Sequence, residues 1–333
     1  MNLRIPGGNR NESKPAYLNN MQYRPLGNTG LKISVIGLGC SRLSQSVFEE
    51  KKVDVFSLLD CAIDLGINFF DTADSYGYGG SEEILGKSFE GRRDKAIIAT
   101  KVGYLPSSLA RFGKYLIPFI SPIRPLLRKK KKSLKGHSKK RQSFDIKHLK
   151  KALEGSLRRL RTDYIDLYQL HSPPKEVLQN EDEEVFDFLN RIKKEGKIRF
   201  WGISLNEVED GIICLKRKNI SSFQIAFNFI DDEAQHVLFP NLNPDIGIIA
   251  RVPFARGLLT EKKEVLTGFH DVDPQKNKKI KQKLESIQFE ATKKEKGVSE
   301  VATEFILNHP EVTTAIIGTR SIEHLKANLK AFS

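Results

Sequence analysis

Four widely spaced residues, Asp71, Tyr76, Lys101 and His171, carry the side chains that a proton-transfer site needs. Each lies at or just past an apolar, strand-like run. The runs read Asn68-Phe69-Phe70-Asp71, Ala96-Ile97-Ile98-Ala99-Thr100-Lys101 and Tyr164-Ile165-Asp166-Leu167-Tyr168-Gln169-Leu170-His171. In a βα protein the strands run one way, so their C-terminal ends share a face. A carboxylate, a phenol, an ammonium and an imidazole gathered on that face can move a proton.

The elements needed to gather them are legible along the chain. Residues 21–35 read as a hairpin around Gly27-Asn28-Thr29-Gly30. Strand patterns follow at 36–39, 68–73, 96–102, 164–171, 198–204, 222–229, 247–254 and 314–318. Helical patterns alternate with them at 53–65, 82–89, 146–160, 185–195, 207–218, 278–294, 299–308 and 321–332. Leu149, Leu153, Leu157 and Leu160 show the helical spacing. The strand runs lack in-out alternation, as expected where helices cover parallel strands. This pattern predicts an α/β fold, a (β/α)8 TIM barrel in one domain over residues 21–333. A doubly wound sheet is the rival, but Gly37-Leu38-Gly39-Cys40-Ser41-Arg42 lacks the third glycine of its phosphate-binding fingerprint.

Two segments break the rhythm. Residues 103–144 form a long insertion after the third barrel strand, far beyond an ordinary βα loop. Residues 261–277 read as a mobile loop after the seventh. Residues 1–20 are polar, rich in Asn, Gly and Pro, and read as a flexible extension.

Composition limits the classes of function. The chain has 333 residues, 39% hydrophobic and 29% charged, enough for one large core. No apolar run reaches the roughly 18 residues of a spanning helix, and residues 1–20 lack a signal-peptide core. Cys40, Cys61 and Cys214 are far apart and odd in number, so neither a disulfide framework nor a metal cluster is expected. A cytoplasmic location fits. The net charge is +14, and ten lysines and arginines fall between Arg124 and Arg141. Without them the balance is +4, so the basicity belongs to one segment and not to a nucleic-acid-gripping fold.

Several ordered motifs resemble the aldo-keto reductase superfamily. They are Asp71-Thr72-Ala73-Asp74-Ser75-Tyr76-Gly77, Thr100-Lys101-Val102-Gly103, Asp163-Tyr164-Ile165-Asp166-Leu167-Tyr168-Gln169-Leu170-His171-Ser172-Pro173 and Gly257-Leu258-Leu259-Thr260. The resemblance runs from about Met21 to the C-terminus, apart from the insertion. It implies a nicotinamide-dependent reductase of aldehydes or ketones. Reduction needs a hydride on carbon and a proton on oxygen. Tyr76 would donate the proton, Lys101 would lower the phenol's pKa, Asp71 would hold Lys101, and His171 would orient the carbonyl. Taken singly, Tyr76 is a packing residue, Lys101 a solvated cation, Asp71 a turn cap and His171 a turn residue. Their joint placement on successive strand ends favours the catalytic reading.

The resemblance also implies a cofactor site. Ser204 and Gln224 match residues that hold the nicotinamide carboxamide, whereas Leu205 stands where the family usually has Asn, and Asn206 follows it. Arg251 stands where many members place a stacking aromatic. A guanidinium can also stack, and an ion pair at the mouth is its simpler role. Phosphates are expected near Phe254, Arg256, Gly257 and Leu258, and at Gly318, Thr319 and Arg320 before the last helix. Arg320 can fork onto a 2′-phosphate, so NADPH is expected over NADH. Asn328 matches an adenine contact, while His324 and Ala327 depart from the usual Gln and Glu.

The run 124–141 reads first as a solvated charge run. A sharper expectation is recruitment of an anionic carbonyl substrate, a nucleotide-linked or phosphorylated sugar. Membrane-surface contact through residues 115–141 is a third, weakened by the prolines there. Specific nucleic-acid binding is not expected, because no aromatic platform accompanies the lysines. A cofactor-binding regulatory subunit with little turnover is the alternative to an enzyme.

Overall fold

The computed structural model describes residues 21–46, 54–105, 141–180, 183–260 and 274–332. The expectations for residues 1–20, for most of the insertion with its basic run, and for most of the loop 261–277 lie outside the described residues.

The chain opens with the predicted hairpin. Strands β1 (Tyr23–Pro25) and β2 (Lys32–Ser34) pair antiparallel. Gly27 turns the chain at φ 48°, and a Cβ there would meet the Asp245 carbonyl oxygen at 2.1 Å, so only glycine fits. Eight parallel strands then close into a barrel in sequence order: β3 (Ile36–Gly39), β4 (Phe69–Asp71), β5 (Ile97–Val102), β6 (Ile165–His171), β7 (Ile198–Ser204), β8 (Ser222–Ala226), β9 (Gly247–Arg251) and β10 (Val312–Gly318). β10 pairs β3 through Ala315–Ile36 to Gly318–Gly39, which closes the ring.

The helices are α1 (Leu43–Ser46), α2 (Val55–Asp64), α3 (Gly80–Ser88), α4 (Ile146–Leu160), α5 (Lys175–Leu178), α6 (Glu184–Lys194), α7 (Val208–Cys214), α8 (Glu233–Val237), α9 (Pro274–Lys293), α10 (Val298–Leu307) and α11 (Ile322–Lys330). Helix α4 shows why they form. Asp145 caps its start by accepting from the His148 amide at 2.8 Å. Leu149, Leu153 and Leu160 are buried on one face. Arg161 ends it in the left-handed conformation, φ 53°.

Two apolar layers hold the barrel. The larger one lies between strands and helices. The smaller one fills the barrel interior, where Leu26, Leu31 and Ile33 of the hairpin pack with Phe69, Ala99, Leu167, Ile249 and Ile316. Arg24 donates to the carbonyls of Leu307, His309 and Val312, just before or at the start of β10. The hairpin therefore plugs the N-terminal end and leaves the C-terminal end as the open mouth.

Strand and helix ends shift where local chemistry intervenes. The pattern predicts β8 to residue 229, yet it stops at Ala226, because the Asn228 side chain accepts from the Ile230 and Asp231 amides and turns the chain. It predicts β9 to residue 254, yet Val252 adopts φ 54° and ends it at Arg251. Helix α9 starts at Pro274, inside the span read as loop, consistent with proline at a first helical turn. Among the described residues no helix is long and apolar enough to cross a membrane. The three cysteines are unpaired.

Candidate active site

The barrel brings Asp71, Tyr76, Lys101 and His171 together at its open mouth. Asp71 ends β4, Lys101 is the penultimate residue of β5, and His171 ends β6. Tyr76 is carried by the turn after β4, which contains Gly77, Tyr78 and Gly79 in the left-handed region. At Gly77 a Cβ would sit 1.9 Å from Ser44 Oγ, so this turn folds tightly only with glycine. The Asp74 amide donates to the Lys101 carbonyl at 3.1 Å and ties that turn to β5.

Lys101 is wholly buried, and burying an ammonium is tolerable only with partners. It has three kinds. Its Nζ lies 2.7 and 2.8 Å from the two carboxylate oxygens of Asp71. It donates to the Thr72 carbonyl at 2.8 Å and reaches the Tyr76 hydroxyl at 3.5 Å. Burial works to lower the lysine's pKa, but Asp71 and Tyr76 together outweigh it and leave it raised, so Lys101 stays charged. Burial raises the Tyr76 phenol, and this exceeds the opposing pull of Lys101. The sequence reading anticipates a lowered phenol. The structure differs because the hydroxyl has lost its water and Asp71 adds repulsion. The rings of Tyr76 and His171 meet edge to face, 5.9 Å between centroids.

Ser204 and Gln224 join the same network. Gln224 Nε2 donates to Asp71 at 2.8 Å, and Ser204 Oγ donates to Gln224 Oε1 at 3.1 Å. Leu205 turns inward and is fully buried, while the exposed Asn206 donates to Glu207, so Asn206 takes no part in this network. Arg251 donates to the Leu205 carbonyl at 3.0 Å, and its buried Nε has no partner among the described residues. It makes no salt bridge among the described residues, although Asp231 and Asp71 lie close enough to attract it. Burial lowers its pKa, with Arg256 adding to the effect.

Beside it, Phe254, Arg256, Gly257 and Leu258 form or flank a tight turn directly after β9. Gly318, Thr319 and Arg320 leave β10 next door, since β9 and β10 pair. Phe254 also packs edge to face on Phe332, just past α11, with ring centroids 6.1 Å apart. Ser321 caps α11 by accepting from the His324 amide at 3.2 Å. His324 is exposed and Asn328 half-buried on that helix. Arg251, whose Nε is unpartnered among the described residues, and the turn after β9 thus lie beside the C-terminal end of β10 and the chain that leads into α11.

Sequence reasoning missed three neighbours of the site. Tyr104 packs its ring against His171, with centroids 4.6 Å apart. Gln142 bonds the His171 carbonyl. Both lie at the two ends of the insertion, where no periodicity signals a contact. Asp74 lies inside the quoted motif but drew no attention. It is half-buried, with Oδ1 shielded from solvent and unpartnered among the described residues, and burial, helped by Glu82 and opposed by Arg159, pushes its carboxyl up from 3.8 to about 7.

That shift predicts a pH-dependent stability. The folded state keeps the Asp74 proton longer than the unfolded chain does. The contribution is therefore fully present below 3.8 and is lost as pH rises through about 7, on the order of 4 kcal/mol across the window. Asp74→Asn should flatten the fall in melting temperature between about pH 5 and about pH 8. Parallel curves for wild type and variant would contradict it.

The barrel thus holds a buried lysine-aspartate pair beside a tyrosine and a histidine at its mouth. A sequence model of the Aldo/keto reductase family matches residues 35–333. The chain is 34% identical over 324 residues to the uncharacterized oxidoreductase YqkF of Bacillus subtilis, covering 93% of this chain and 91% of that protein. It is 27% identical over 316 residues to L-galactose dehydrogenase of Arabidopsis thaliana, covering 93% and 88%. Aldo-keto reductase AKR11C1 from Bacillus halodurans, in its holo form, superposes with a TM-score of 0.73 at 28% identity, over 94% of this chain and 91% of that one. The chain belongs to the Aldo/keto reductase family.

Proposed function

We propose that this chain is an NADPH-dependent reductase that converts an aldehyde or ketone to an alcohol. One observation carries the reading: the Tyr76 hydroxyl stands 3.5 Å from a buried Lys101 that Asp71 holds at 2.7 Å. The bound nicotinamide supplies the hydride. Tyr76 gives the carbonyl oxygen its proton. Lys101 then stabilises the phenolate left behind, and Asp71 fixes the ammonium beneath it. His171 donates a hydrogen bond that orients the carbonyl oxygen. Ser204 and Gln224 hold the carboxamide, with Gln224 anchored on Asp71. Because burial keeps Tyr76 protonated, reduction should be level through neutral pH and fall once the solution becomes alkaline enough to ionise the phenol.

Arg320, beside the capped start of α11, is the residue we assign to the 2′-phosphate. A forked, charge-assisted contact contributes roughly 1.5–3 kcal/mol, so Arg320→Ala should weaken NADPH roughly ten- to a hundredfold and leave NADH nearly unchanged. Dissociation constants from nicotinamide fluorescence measure this. An unchanged NADPH/NADH ratio would remove Arg320 from the role.

The test of the activity is NADPH consumption with a panel of aldehydes, ketones and sugar aldehydes, anionic members included. Tight cofactor binding without turnover on any of them would favour the regulatory-subunit reading, which the departures at Leu205 and Arg251 motivate. A preference for anionic substrates that vanishes on deleting residues 124–141 would assign the basic run to recruitment.

A further inference from the structure

The insertion leaves and returns at one place, directly beside His171. The Ser143 amide donates to the Gly103 carbonyl at 2.9 Å, and the Leu105 amide donates to the Arg141 carbonyl at 2.8 Å. Between these bonds Tyr104 and Gln142 face each other in an antiparallel bridge. The base is packed as well as bonded. Gly103 has φ 138°, and a Cβ there would lie 2.6 Å from the Phe144 ring.

Both feet grip the histidine. Gln142 Nε2 donates to the His171 carbonyl at 2.9 Å and to the Ser172 carbonyl at 3.0 Å. Consecutive carbonyls of an extended strand point opposite ways and cannot share one donor. Here they converge because Ser172 adopts φ 50°. Left-handed backbone at a non-glycine residue is strained, and the two hydrogen bonds from the Gln142 amide offset that strain. On the other foot, the Tyr104 ring meets the imidazole edge to face at 4.6 Å. The Tyr76 ring also meets the imidazole edge to face, with centroids 5.9 Å apart. The histidine is thus fixed at its backbone by one end of the insertion and at its ring by the other.

We propose that Gln142 is a positioning residue, and that with Tyr104 it makes the base of the insertion set the orientation of the His171 imidazole. This rests on the reading above, in which His171 holds the carbonyl oxygen. It places the insertion in direct mechanical contact with the reacting group, so any change that parts the two feet also moves the imidazole.

The experiment has two arms. In the free protein, the imidazole signals of His171 are identified by their loss in His171→Ala. Gln142→Leu should shift them and leave the other histidines in place, and Tyr104→Leu should do likewise. Unmoved His171 signals in both folded variants would overturn the proposal, whether or not any carbonyl is reduced. In the kinetic arm, Gln142→Leu should lower kcat/KM roughly ten- to a hundredfold with the NADPH dissociation constant unchanged. The same change in the His171→Ala background should cause no further loss. Losses that add independently would overturn the positioning role. If wild type reduces no carbonyl, the reductase reading falls, and the imidazole signals alone decide this proposal. Should Gln142→Leu not fold, Tyr104→Leu carries both arms.

Discussion

Lys101→Met should abolish turnover and destabilise the fold by about 3–5 kcal/mol, the usual result of removing one partner from a buried ion pair. Methionine keeps most of the length and volume of lysine, so packing is not the issue. The issue is Asp71. Its side chain is only 7% exposed, and the ammonium within 2.8 Å is its counter-charge. Without it, the carboxylate keeps the Gln224 amide and must otherwise sit uncompensated or take up a proton. Adding Asp71→Asn to Lys101→Met removes the stranded charge and should recover much of the stability, while activity stays lost. Urea unfolding of the single and double variants measures both. A Lys101→Met protein as stable as wild type would mean that the pair is not the buried keystone described here.

Tyr76→Phe should lower kcat by about 10²–10⁴ while leaving fold and cofactor affinity intact. The change deletes a single oxygen. That oxygen's contact is one long bond, 3.5 Å, from Lys101, which retains both Asp71 oxygens and the Thr72 carbonyl. The ring itself keeps its edge-to-face contact with His171 and its place over the lysine, 5.0 Å from Nζ. Loss of activity with an unchanged melting temperature would therefore isolate the proton donor from any structural role. Activity close to wild type would transfer the acid role to another group at the mouth.

What the sequence made legible follows its periodicities. All eight barrel strands were legible in the alternation of strand and helix patterns, because each strand is a short apolar-rich run bounded by polar turns. Their C-terminal limits were least legible. The β8 end depends on the Asn228 side chain bonding forward, and the β9 end on Val252 turning left-handed, and neither changes the hydrophobic pattern. The four mouth residues were legible because each lies at or just past the C-terminal end of a strand-like run. Asp71, Lys101 and His171 needed only the barrel to meet.

Contacts made by chain return were not legible. Gln142 stands in Arg141-Gln142-Ser143-Phe144, polar and unremarkable, and its bond to His171 exists only because the insertion closes on itself. Leu205 and Asn206 show a second limit. Sequence alone left open whether Asn206 replaces the usual amide. The backbone settles its direction, with Leu205 inward and Asn206 bonded to Glu207 at the surface. The direction of the Tyr76 shift was misread because a lysine neighbour is visible in a motif and burial is not.

The most direct test of the central claim follows a labelled hydride. Wild type is given NADPH carrying deuterium at the transferable position of its nicotinamide, with each carbonyl that it consumes, beside Tyr76→Phe. With wild type the label should appear on the carbinol carbon of the product alcohol, and the variant should bind the cofactor yet transfer little. Cofactor bound tightly by wild type with no label reaching any carbonyl would contradict that claim.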